Sequence, residues 1–282
     1  MADKIRFHFH NGKTDFSVGD NEFGIIDYSG IEAAEYDIQK KENISGYGSR
    51  LTKRKISGRD ISLTAEYKFR DGNTSRVREF LLAFFSPLSS GVLTVENAGK
   101  RCVTAYEVEK FEYKYTNIHE RVRFHLELTC LDPAMLAEYS ESDQMSTWIG
   151  GWKLKFTLPF CLRHRGPKQK TIINGGHLDT PIQVIFQGPA ENPRIINHTT
   201  GERMIVNRTL TEGDFLHINT DPGNISVQIE RNGSLEDAYG YIDLDTDFFQ
   251  LRPGENRIEY GTDNELDPQQ VVIIHRERYL GI

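Results

Sequence analysis

Three cysteines in 282 residues are too few for a disulfide framework. Cys102 and Cys130 fall inside strand-like patterns, where a thiol acts as a small core residue; Cys161 lies in a basic segment. No apolar run approaches the ~20 residues that a bilayer-crossing helix needs. The start, Met1-Ala-Asp-Lys-Ile-Arg-Phe-His, lacks the apolar core of a secretory leader, so the expectation is synthesis and initial residence in a cytoplasm. On that expectation, the six Asn-x-Ser/Thr triplets (starting at Asn43, Asn73, Asn197, Asn207, Asn224 and Asn232) are products of a turn-rich composition rather than glycan acceptors. A basic excess is also missing. The net charge of −7 divides into −1 over residues 1–140 and −6 over 141–282, which argues against a protein that neutralises nucleic-acid phosphates.

Catalytic signatures are equally scarce. There is no Gly-x-Ser-x-Gly, no His-Glu-x-x-His and no phosphate-cradling glycine loop. Asp243-Leu-Asp-Thr-Asp247 has the rhythm of a calcium loop. Phe248 stands where the sharp turn needs glycine and Gly254 where the bidentate glutamate belongs, so a structural acidic turn is expected. His8 and His10 share one strand face without a third ligand, and a solvent-facing pair is expected. Cys161 and His164 put a thiol near an imidazole without an orienting partner. No catalytic, cofactor-binding or metal-binding residue is assigned, and an enzyme is not expected.

What fills the chain instead is period-two alternation, the mark of half-buried strands. Ile5, Phe7 and Phe9 share a face. Phe23–Tyr28 and Glu32–Gln39 read as strands. Ser45–Arg59, with Arg50, Lys53, Arg54, Lys55 and Arg59, reads as an exposed basic arm or loop. Ile61, Leu63, Ala65 and Tyr67 alternate with Ser62, Thr64 and Glu66. One helix follows, with Val77, Phe80, Leu81 and Phe84 forming its apolar stripe and Pro87 and Gly91 ending the segment. Gly91–Glu96 and Arg101–Tyr115 form a hairpin across Asn97-Ala-Gly-Lys100. In the strand His119–Leu131, Val122, Phe124, Leu126, Leu128 and Cys130 point inward, and Asp132-Pro133 stops it.

The polar stretch Ala134–Gly151 marks a boundary. Trp152, Leu154, Phe156 and Leu158 alternate in a connecting strand, with Trp148 and Trp152 anchoring the hinge. A second basic loop holds Arg163, His164, Arg165, Lys168 and Lys170. From Pro181 short strands recur between Gly/Pro/Asn turns, over Ile182–Phe186, Arg194–Asn197, Arg203–Asn207, Phe215–Asn219, Ile225–Glu230, Arg257–Tyr260 and Val271–His275. That spacing predicts a β-sandwich. The expected division is residues 1–135, a linker and connecting strand over 136–180, and a C-terminal sandwich over 181–282. Whether Arg276–Ile282 pairs back onto the first domain is left open by the pattern.

The order of segments resembles that of the distal tail proteins of long-tailed, non-contractile bacteriophages and related prophages. It rests on the strand–helix–strand half ending in Arg121-Val-Arg-Phe-His-Leu-Glu-Leu-Thr-Cys-Leu-Asp-Pro133 and on Trp152-Lys-Leu-Lys-Phe-Thr-Leu-Pro-Phe160. It continues through Asn197-His-Thr-Thr-Gly-Glu202, Glu212-Gly-Asp-Phe-Leu-His-Ile-Asn-Thr220 and Leu244-Asp-Thr-Asp-Phe-Phe-Gln-Leu-Arg-Pro-Gly-Glu-Asn256. The resemblance implies a mainly β fold: a tail-tube-like N-terminal barrel or sandwich with one helix, and a galectin-like, carbohydrate-module-like C-terminal sandwich. It implies a structural protein of the virion tail tip, without a cofactor, that closes into a homohexameric ring. Its implied partners are the tail-tube protein, the tail tip protein, and the receptor-binding and tape-measure proteins, without membrane insertion or sequence-specific nucleic-acid binding. Charge reversal at Lys53, Arg54 and Lys55 is expected to block the ring if the basic arm reaches an acidic surface on a neighbouring subunit. The competing reading is a carbohydrate-binding adhesin module that recognises host wall glycans, with Tyr239, Tyr241, Phe248 and Phe249 as the available aromatic residues.

Overall fold

A computed structural model describes residues 5–20, 22–43, 47–68, 74–114, 122–146, 148–150, 163–165, 168–263 and 270–282. The chain divides into two compact units. One comprises residues 1–138 with 278–282, and the other residues 139–277. The last five residues therefore return to the first unit. As expected, the protein is mainly β, with one α-helix among the described residues.

The first unit contains β1 (Arg6–His10), β2 (Asp15–Val18), β3 (Phe23–Ser29), β4 (Tyr36–Glu42), β5 (Ser49–Ile56), β6 (Arg59–Tyr67), α1 (Thr74–Phe84), β7 (Ser90–Asn97), β8 (Lys100–Lys114), β9 (Arg123–Cys130) and β10 (Met135–Ala137). Its main sheet is antiparallel in the order β2-β1-β7-β8-β9-β6-β3. The two ends of that path, β2 and β3, are consecutive in the chain. The Gly19 amide donates to the Phe23 carbonyl at 2.8 Å, and the rings of Phe16 and Phe23 meet edge-on at 4.8 Å, so the sheet curls back on itself. Alternation puts Ile61, Leu63, Ala65 and Tyr67 of β6 and Phe124, Leu126, Leu128 and Cys130 of β9 into the core. The Asn97–Lys100 hairpin forms as expected, with Ala98 and Gly99 both at positive φ.

The helix corrects one expectation. Phe80 remains 41% exposed, whereas Phe85, just beyond the last helical residue, is 1% exposed. The buried stripe is Leu81, Phe84 and Phe85, with Val77 partly buried against it. Phe85 makes the difference by inserting between Phe9, at 5.3 Å, and Phe111, at 5.6 Å.

Arg59 is a second correction. Rather than ending the basic arm it opens β6 and is 3% exposed. Its Nε and Nη2 donate to the Pro133 carbonyl at 3.1 and 3.0 Å, Nη1 donates to Gly30 at 2.5 Å, and Nη2 also donates to Leu280. The C-terminal strand β25 (Arg278–Tyr279) pairs with β10, so the tail is sewn into the first unit.

The second unit begins with β11 (Glu141–Ser146), β12 (Trp148–Gly150), β13 (Arg163–Arg165) and β14 (Gln169–Asn174). It continues through β15 (Ile182–Gln187), β16 (Ala190–Glu191), β17 (Arg194–Asn197), β18 (Glu202–Ile205), β19 (Thr209–Leu210), β20 (Phe215–Asn219), β21 (Ser226–Arg231), β22 (Ser234–Asp237), β23 (Gly254–Gly261) and β24 (Gln270–His275). Two sheets, β11-β24-β15-β20-β21-β22 and β14-β23-β17-β18, share one core. Val184, Phe186, Leu216 and Ile229 from the first meet Ile172, Ile195, Ile258 and Tyr260 from the second, and the rings of Phe186 and Tyr260 contact edge-on at 6.2 Å. Three strands of these two sheets escaped the sequence pattern. β11 lay in the boundary stretch and β14 overlapped the basic loop. β22 is exposed at all four positions, so it carries no alternation.

Candidate assembly and binding surfaces

The basic arm is a two-stranded ribbon. β4 and β5 pair antiparallel with a shift between Gln39 and Lys40, and nearly every residue is exposed. Opposed residues of an antiparallel pair share a face. The register therefore places Tyr36 with Ile56, Ile38 with Arg54 and Lys40 with Leu51 on one side. Asp37 with Lys55, Gln39 with Lys53 and Lys41 with Arg50 take the other. One face holds all four large apolar residues of the strands, and the opposite face holds four cations and a single carboxylate. Tyr36, Ile38 and Leu51 are each 44–49% exposed. An isolated hairpin is marginal in water, and three or more strands or a covering element are needed to stabilise it. The apolar face is thus a part of the first unit that a partner would stabilise.

A groove on the sheet of the same unit has the opposite character. It encloses about 650 Å³ beside His10, Val92, Tyr106, Glu107, Leu131 and Asp132. Leu131 is 81% exposed at its edge, and Glu109 lies nearby, accepting from the Thr129 hydroxyl at 3.0 Å. Its floor is apolar and its rim is acidic.

The residues weighed for chemistry are held by ordinary structural contacts. The His8 Nδ1 lies 2.9 Å from Ser17 Oγ, and the His10 Nδ1 lies 2.8 Å from Asp15 Oδ1. Asp243–Asp247 is a turn: Asp243 accepts from the Asp245 amide at 3.0 Å and from Asn207 Nδ2 at 3.1 Å, and these bonds hold its carboxyl below the usual range. Asp245 accepts from Arg203 at 2.8 Å. Among the described residues, no group of three His, Cys, Asp or Glu could hold a metal ion. Cys102 and Cys130 are buried, and burial raises the Cys130 thiol above its ordinary value. Cys161, and with it the pair with His164, lies outside the described residues, as do Trp152 and the expected strand over 152–160. No helix of the described residues is long and apolar enough to cross a membrane.

In the second unit the four weighed aromatic residues separate. Phe249 is buried in the core. Phe248 packs against that core, and Tyr239 stacks on Phe248 with centroids 6.0 Å apart and planes 11° from parallel. Tyr241 lies under the Arg208 guanidinium at 4.5 Å.

An antiparallel β-sandwich and a curled sheet with one helix are the two units of this chain. Residues 175–279 match the family model described as siphovirus-type tail component, C-terminal domain. Among solved structures the chain is similar to the Dit protein (gp 19.1) of phage SPP1, at 14% identity and a TM-score of 0.70, covering 97% of this chain and 99% of that one. Two structures of the phage P2 baseplate in its activated conformation also align, both at 12% identity and a TM-score of 0.49. The one with Ca covers 100% of each chain, and the one with Sr covers 97% of this chain and 98% of that one. No curated protein matches. Residues 175–279 thus resemble a siphovirus-type tail component, and the resemblance to phage distal tail proteins read from the sequence is borne out.

Proposed function

We propose that this chain is a structural hub of a siphophage tail tip, without catalysis, whose first unit closes into a homohexameric ring between the tail tube and the tip protein. The observation that carries this reading is the match of residues 175–279 to the tail component family, on a chain whose fold follows a protein described as a paradigm of hub adsorption apparatus in Gram-positive infecting phages. The reading brings a tube protein, a tip protein and receptor-binding and tape-measure proteins as partners, and the virion tail tip as location. The domain roles proposed are ring formation by the N-terminal part and outward display by the C-terminal sandwich.

The β4–β5 ribbon supports self-assembly. Subunits in a ring meet through two different patches, and such contacts close when the rotation closes. A ribbon with an apolar face and a cationic face suits a groove with an apolar floor and an acidic rim on a second copy. Native mass spectrometry or sedimentation of the chain, alone and with its tube protein, tests the proposal. A sixfold mass is expected. A monomer under both conditions overturns the ring.

A further inference from the structure

We infer that the short ladder between β10 and β25 is a clamp that keeps the first unit folded when the second unit opens. The chain leaves the first unit after Glu138 and returns to it at Arg278, so the second unit is an insertion between these two strands. The strands are antiparallel neighbours, with Met135 opposite Tyr279 and Leu136 opposite Arg278. Exit and re-entry therefore lie side by side at one end of one ladder. To the first unit, the inserted segment is a very long hairpin turn.

Each strand of the clamp has its own fastenings. β10 also pairs with β8, Leu136 opposite Val103 and Ala137 opposite Cys102. Just past it the Glu138 amide donates to the Arg101 carbonyl at 3.3 Å, and Arg101 Nη1 lies 2.8 Å from the Glu138 carboxylate. On the returning side Arg278 Nη2 donates to both oxygens of Asp132, at 3.1 and 3.0 Å. Tyr279 is buried, with the Lys100 ammonium 3.2 Å from its ring centroid. Arg59 donates to Leu280, and the Ile282 amide donates to Ile31. All of these partners belong to the first unit.

With both ends fixed, an opened second unit is a closed loop. The entropic cost of closure grows only with the logarithm of loop length, so the clamp can hold through that opening. The same constraint removes conformations from the opened second unit. It therefore stabilises the folded one, as a cross-link between its ends would. The clamp thus acts on a unit to which it contributes no residue. Its use rests on the hub reading above: a ring built from first units would keep its shape while the second units deform. The clamp itself does not depend on that reading, because every contact in it lies within one copy.

Native-state hydrogen exchange of the full chain, read by NMR, tests the clamp. A failed ring would show as mass and a failed clamp as lost protection, so the two are told apart. Ile258 is fully buried in the second core, and Ile258→Ala should lower protection in β15, β20 and β24 about a hundredfold. Protection in β8 and at the Ile282 amide should not change. Loss there together with β15 overturns the inference. Gly281→Ala changes only the first unit, yet it should lower protection in β15, β20 and β24 about tenfold or more by freeing one end of the loop. Unchanged second-unit protection in that variant also overturns it. If Ile258→Ala does not fold, urea added to the parent chain takes its place. Loss of protection in β15 and β24 while β8 and Ile282 stay protected is then expected, and loss in β8 first, or in both together, overturns the clamp.

Discussion

The guanidinium of Arg59 donates to the carbonyl oxygen of Leu280, a residue 221 positions further along the chain. The same side chain serves Gly30 and Pro133, so one buried cation joins three separate backbone segments. Burial lowers its basicity, yet guanidinium stays charged at any ordinary pH. Arg59→Met would fill the volume and strand three carbonyls, each costing about 1–3 kcal/mol when buried without a donor. A loss of about 3 kcal/mol or more in urea unfolding is expected. Arg59→Lys should not rescue it, since an ammonium cannot reproduce the planar fork. A lysine variant of wild-type stability would refute this account.

The same clasp leaves no room at Gly281. A β-carbon there would stand 1.4 Å from the Glu32 carbonyl oxygen, while the next residue, Ile282, donates its amide to Ile31 at 3.0 Å. Backbone cannot yield as a flexible side chain can. Gly281→Ala should release the tail, cost about 2–4 kcal/mol, and raise hydrogen exchange at the Ile282 amide. Unchanged protection at that amide would show that the tail is held in another way.

Asp214 predicts a pH dependence. Its carboxylate is 4% exposed, accepts from Arg231 Nε and Nη2 at 3.0 and 2.9 Å, and takes the Thr211 amide at 2.7 Å. The Arg231 bonds, the largest cause, hold the carboxyl well below its ordinary range against the opposing effect of burial. The unfolded chain therefore binds a proton at a higher pH than the folded one. The stabilisation is complete above the unfolded value near ~3.9 and is lost as pH falls toward the folded value. Asp214→Asn should lower stability at pH 7 and flatten the acid limb of the urea midpoint between pH 5 and pH 2. An acid limb as steep in the variant as in the parent would assign the effect to other carboxylates.

The two faces of the β4–β5 ribbon should fail differently. Ile38→Thr with Leu51→Thr removes apolar contact and should lower the oligomer mass at every salt concentration. Lys53→Glu with Lys55→Glu reverses the cationic face. That defect should ease at high ionic strength, because exposed charges beyond a Debye length of ~10 Å at 0.1 M are screened. Neither pair should shift the unfolding midpoint of the monomer appreciably, since all four side chains lie outside its core. Oligomers of unchanged mass in both variants would remove the ribbon from the interface.

Much of this architecture could be read from residue order. Alternation in Ile61–Tyr67 and Val122–Cys130 signals strands because a half-buried sheet demands period two. The Asn97–Lys100 turn was visible because glycine tolerates a positive φ. Where both faces of a strand meet solvent, the signal vanishes. Lys53, Arg54 and Lys55 look the same in a loop and in a ribbon, and Ser234–Asp237 shows no apolar residue facing inward. The helix stripe was displaced toward Phe85 because two aromatic partners, Phe9 and Phe111, come from strands distant in sequence. Among Tyr239, Tyr241, Phe248 and Phe249, nothing in the spacing distinguishes Phe249, which is buried, from Tyr239, which is half exposed.

Local preferences therefore determined the β class, the single helix, the hairpin turns and the sandwich-like second half, because each follows from a short-range steric or burial rule. Contacts between residues far apart in the chain decided the rest. Arg59 was written among surface cations, and only the arrival of Gly30, Pro133 and Leu280 around it made it a buried clasp. A guanidinium carries no record in its neighbours of which carbonyls will reach it; that depends on how the whole chain closes.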